Sequence, residues 1–179
     1  MAPTPRHLSL DTLAPGTATD VQYVPASEDI ADLVARLGLL GLKKPSLTGQ
    51  IAPLGKRDWR FEASLGATVV QPCVVTLAPV TTRVEEPVVR TYVARMPEVP
   101  EGGEIEMPED DTLEPLPDAL DMLGIFEEAL SLALPPYPRA DGAAADAHQV
   151  TEPGKTPMTD EEARPFAGLK DLMQDRKSD

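Results

Sequence analysis

The sequence predicts an α+β fold, an antiparallel sheet covered by helices, on three observations. Apolar residues recur at helical spacing in two separate stretches, near residues 28–40 and 121–134. Between them the period shortens to two, with short turns and no helical crossovers. That pattern selects a meander or partly closed barrel over a parallel sheet. Finally, the 179 residues include 20 prolines but only one Trp, three Phe and three Tyr, so a core domain with long acidic, Pro-rich loops is expected.

Taken in order, residues 1–24 form a weakly patterned N-terminal segment in which Leu8, Leu10 and Leu13 are placed to add a short strand. The core domain spans residues 25–134. Its first helix runs from about Glu28 to Leu40: Ser27 caps it, and Glu28 and Asp29 sit where the helix dipole favours anions. Ile30, Leu33, Val34 and Leu37 make its buried face, and Gly38 and Gly41 lead the chain out. Leu47, Gly49 and Ile51 then alternate with polar neighbours, and Pro53-Leu54-Gly55 turns the chain. Trp59, Phe61, Ala63 and Leu65 point one way, Arg60, Glu62 and Ser64 the other. Ala67 to Val75 reads as a third strand and Val80 to Ala94 as a fourth, bent near Pro87.

Residues 96–117 are acidic and Pro-rich, hence a loop. The second helix runs from about Asp121 to Leu134 with a stripe of Leu123, Phe126 and Leu130, closed by Ala133 or Leu134, and Pro135-Pro136 stops it. A flexible linker is expected over 135–158. In the C-terminal helical segment, 159–179, Thr159 and Glu162 give a capping signature, and Pro165 opens a short helix carrying Phe166, Leu169 and Met173.

Charge is distributed unevenly. The chain's net charge of −14 comes from residues 96–163, which carry two basic and eighteen acidic side chains, a net of −16; residues 1–95 carry ten basic and nine acidic. The first half therefore has to be judged on its own for polyanion binding. There is no charged-then-apolar leader and no run of about 18 apolar residues. The chain is read as cytoplasmic, with no membrane partner. The absence of Asn and the abundance of Ala, Pro, Gly and Arg fit a GC-rich bacterial genome.

Catalysis finds little support. The two histidines, His7 and His148, fall in segments read as disordered, and Cys73, between Pro72 and Val74, has no histidine near it in sequence. Phosphate loops, nucleophile elbows and dinucleotide fingerprints are missing, and Glu109-Asp110-Asp111 lacks the spacing of a calcium loop. No enzyme, cofactor or metal is expected. Nucleic-acid binding has a local cluster: Lys43, Lys44, Lys56, Arg57 and Arg60 against Asp58, with Trp59 inside it. Cations for phosphates beside a stacking surface suit structured or single-stranded RNA. Arg83, Arg90 and Arg95 extend the patch if their strands lie alongside.

Three ordered motifs add a resemblance. Val69-Val70-Gln71-Pro72-Cys73-Val74-Val75-Thr76-Leu77-Ala78-Pro79-Val80 resembles the central motif of the bacterial YceD family. Leu132-Ala133-Leu134-Pro135, followed by Tyr137 and Pro138, resembles its helix-ending signature, and Pro165-Phe166-Ala167-Gly168-Leu169-Lys170 its C-terminal motif. The resemblance implies a role in the synthesis, processing or accumulation of large-subunit ribosomal RNA, without a known enzymatic activity. It marks Cys73, Pro79, Leu134, Pro135, Pro165, Phe166 and Leu169 as motif positions. Many members carry C-x-x-C in the central motif, but here the second position is Thr76, and a further cysteine found after the helix in some members has no counterpart from Arg139 to Asp146. A hydroxyl does not replace a thiolate on zinc.

The expected function is thus an accessory factor of ribosome assembly that binds ribosomal RNA or a large-subunit precursor through Lys43, Lys44, Lys56, Arg57, Trp59, Arg60 and Arg90. The alternative is an adaptor whose acidic loop binds a basic ribosomal protein.

Overall fold

The computed structural model describes residues 3–14, 16–96, 112–143 and Gly154. The chain divides into two compact units, Met1–Gly142 and Ala143–Asp179. Every element below belongs to the first. The acidic residues 97–111 and the C-terminal segment with Pro165, Phe166 and Leu169 lie outside the described residues.

The fold is α+β. Strand β1 (His7–Ser9) pairs antiparallel with β7 (Ala119–Asp121) in a small sheet. The main sheet holds β2 (Thr19–Tyr23), β3 (Gly41–Leu54), β4 (Asp58–Pro72), β5 (Pro79–Val93) and β6 (Leu113–Pro115) in that spatial order. Helix α1 (Ser27–Arg36) lies between β2 and β3 in sequence, and α2 (Met122–Ala133) follows β7.

Alternation explains the sheet. Leu47, Ile51, Phe61, Leu65, Ala67, Val69, Val84, Val88 and Tyr92 are buried and share one face. Leu33 of α1 and Met122, Leu123, Ile125, Phe126 and Leu130 of α2 complete the same core. Asp121 caps α2 by accepting a 3.1 Å hydrogen bond from the Leu123 N–H.

Several elements depart from the sequence expectation. The second and third strands are one, β4, because the alternation of inward side chains runs unbroken through Gly66. Helix α1 ends near Arg36 rather than Leu40: Gly38 takes φ +63°, and the Leu40 N–H bonds the Val70 carbonyl at 2.7 Å, leading into β3. Ala26 occupies the cap position, with Ser27 already helical. The N-terminal segment supplies β2 as well as β1, with Val21 and Tyr23 buried against β3. The pairing of β5 with β6 is parallel, inside the stretch read as loop. After α2 the chain folds back, and the Val74 N–H bonds the Pro138 carbonyl at 2.9 Å.

Candidate nucleic-acid interface

The sheet separates what lies close in sequence. Lys43 and Lys44 stand at one end of β3, whereas Lys56 and Arg57 form the turn at the other end. The eight regular steps from Ser46 to Leu54 alone put about 26 Å between those ends at roughly 3.3 Å per residue. The predicted single cluster is therefore two basic points.

At the first point the strand carries a bulge. From Lys43 to Ser46 β3 advances three residues while its partners on β4, Thr68 and Gly66, advance two. Lys44 absorbs the extra residue at φ +49°, and Pro45, which has no N–H to lose, follows it. Before the bulge Leu42 faces inward and Lys43 outward; after it the parity reverses, so Leu47 and Ile51 face inward. Lys43, Thr68 and Arg83 are opposite one another across three strands and thus share the outer face. Lys44, Pro45, Ser46, Thr68 and Arg83 line a surface pocket of about 400 Å³. Two cations and two hydroxyls face it, and no carboxylate is among its lining residues. The Arg83 guanidinium lies over Gly66, where an added Cβ would stand 2.7 Å from Nη2. Its Nε donates to Glu85 at 3.0 Å, an exposed pair that phosphate can displace at small cost.

The second point is more hemmed in. Lys56 and Arg57 are exposed and, among the described residues, form no ion pair. Arg57 and Trp59 line a second pocket with Asp11 and Asp118, whose carboxylates repel phosphate. Trp59 is half-buried and packs against the core rather than standing free for stacking. Arg60 lies on the outer face, tied to Glu62 by a 2.6 Å pair.

Arg90 is not part of either point, which corrects its inclusion. Seven residues from Arg83 along β5, it falls on the opposite face, where its side chain is 13% exposed and held by Glu114 and, at 2.9 Å, by Glu128. Burial alone would lower its pKa, but the Glu128 and Glu114 carboxylates outweigh that and raise it. Arg90 joins β5, β6 and α2.

The motif cysteine has a different role from the cations. Cys73 is fully buried in the turn between β4 and β5, and its Sγ accepts from the backbone N–H groups of Val75 (3.4 Å), Thr76 (3.5 Å) and Ala140 (3.3 Å). The Thr76 hydroxyl, then the Ala140 and Thr76 N–H groups, lower its pKa to about 6 against the opposing effect of burial. Three backbone N–H donors thus converge on the sulfur. Among the described residues no three His, Cys, Asp or Glu side chains gather as a metal site would require. Pro79 opens β5 opposite Pro72, and the Pro135 carbonyl, just past Leu134, accepts from Gln71 Nε2 at 3.3 Å. The central and helix-ending motifs are therefore one joint between the sheet and the end of α2. Sequence reasoning missed the contact between the two motifs, which joins residues more than sixty positions apart.

No helix among the described residues is long and apolar enough to cross a membrane. Residues 61–173 match the family model described as large ribosomal RNA subunit accumulation protein YceD. Arg83 and the Cys73 joint lie inside that span; Lys43, Lys44 and the hairpin turn precede it. No curated protein matches the chain, and no solved structure does.

Proposed function

The chain belongs to the YceD family, named for accumulation of the large ribosomal RNA subunit, and from that premise we propose that it is a non-enzymatic accessory factor that binds ribosomal RNA or a large-subunit precursor. The carrying observation is the pocket at the β3 bulge, where Lys44 and Arg83 stand with Ser46 and Thr68 and no acid lines the wall. Lys43 extends the same face in register with Arg83. Phosphate oxygens accept from cations and hydroxyls of this kind without regard to sequence. Local cations then act on RNA although the whole molecule is acidic, because exposed charges beyond about 8 Å are largely screened at physiological salt.

The test is titration of a large-subunit ribosomal RNA transcript with the full chain across a salt series. Three cations on three phosphates predict a log–log slope near −2, at about 0.7 per phosphate for single strands. Affinity that does not vary with salt contradicts the reading.

A further inference from the structure

Strand β5 has an open backbone edge. β6 pairs with Thr91–Val93 alone, and among the described residues no strand pairs with residues 79–90 on that side. The Thr91 N–H bonds the Thr112 carbonyl, and the Val93 carbonyl accepts from the Leu116 N–H, so odd-numbered residues turn their backbone groups away from β4. Followed back along the strand, the same period gives the edge to Thr81, Arg83, Glu85, Pro87 and Val89, all of them exposed. Pro87 stands where its missing N–H breaks no rung of the sheet.

Beside that edge, between β5 and the C-terminal half of α2, runs a groove of about 450 Å³. Glu86, Arg90, Glu114 and Glu128 line it together with Val89 and Leu132. Arg90 is already engaged by Glu114 and Glu128, so the carboxylates outnumber the one cation and set the sign of the groove. Leu132 is 81% exposed, an apolar side chain standing in an acidic rim.

We propose that this edge and groove dock an extended basic segment of a partner protein, added as a strand beside β5. Backbone groups of residues 81–89 would pair with the segment, Glu86 and Glu128 would meet its lysines or arginines, and Leu132 would hold one apolar side chain. Charge selects the occupant. A second copy of this chain, at −14, would set its own Glu85 and Glu86 against the same carboxylates, and Pro87 would interrupt both edges. RNA is repelled by the same groove. The groove shares no lining residue with the pocket at the bulge; the strand edge meets that face at Arg83, whose side chain serves the pocket and whose backbone lies on the edge.

The test is amide exchange by NMR on the full chain with a synthetic peptide alternating lysine and valine, against one alternating glutamate and valine. The basic peptide slows exchange at Thr81, Arg83, Glu85 and Val89, and the acidic peptide does not. Its affinity falls at least about tenfold in E86K, whose backbone is unchanged, and in V89P, which removes one edge N–H. RNA affinity stays at the wild-type value in V89P, which leaves the charge unchanged, so failure here is distinguishable from failure of the RNA reading. Equal binding of both peptides overturns the proposal. So does protection already complete in the protein alone, or protection that grows with protein concentration.

Discussion

The bulge end and the turn end of the β3–β4 hairpin each carry two adjacent cations, Lys43-Lys44 and Lys56-Arg57, yet they are not equivalent surfaces. At the bulge, register brings Arg83 from two strands away to stand with Lys43 and Lys44, and the pocket walls are hydroxyls. At the turn, register brings nothing basic into the pocket, and Asp11 and Asp118 close in on Arg57 and Trp59. A polyanion reads the charges that share a face, not those that share a stretch of chain. Arg83 and Arg90 make the same point on one strand: an odd separation gives one arginine to solvent and the other to the core.

The largest expected effect is on the bulge. K43E/K44E/R83E weakens ribosomal RNA binding by about a hundredfold in filter binding, because three phosphate contacts become repulsions. Next is R90A, which leaves Glu114 and Glu128 without their cation. It lowers unfolding free energy by about 1–2 kcal/mol, discounted for the exposure of Glu128, and leaves RNA affinity unchanged. R83A does the reverse, with a stability change within about 0.5 kcal/mol and weaker RNA binding. K56E/R57E is the smaller electrostatic change, with a loss under about threefold, since the turn already faces two aspartates.

The smallest effect concerns Cys73 and is a matter of sign. Its thiolate is favoured in the fold, with a pKa near 6 against an ordinary value of 9.0. The stabilisation is therefore fully present above about pH 9, is lost as pH falls towards 6, and is absent below that. The melting temperature of the wild type, less that of C73S, should decline across that window; a flat difference would mean that the three N–H groups do not hold a thiolate.

Much of the fold was legible because its signals are local. The run from Trp59 to Leu65 alternates cleanly, Leu123, Phe126 and Leu130 mark the face of α2, and Pro135-Pro136 marks its end. What escaped depends on distant partners. β2 alternates as Asp20, Val21, Gln22 and Tyr23, but five residues next to prolines and threonines give little signal without β3 beside them. β6 is three residues long and exists through its parallel pairing with β5. The split of the basic cluster could not be seen without the length of β3, since a strand of 14 residues carries its two ends apart where a loop would let them meet. The reversal of parity at Lys44 was hidden too, since a bulge leaves Pro45 as its only trace in the sequence.

Ultraviolet crosslinking of the full chain to large-subunit ribosomal RNA, followed by mapping of the crosslinked peptides, decides whether RNA lies on the bulge. Adducts are expected on the peptides that contain Lys43, Lys44 and Arg83. Adducts confined to the turn peptide with Lys56, Arg57 and Trp59 would contradict that placement.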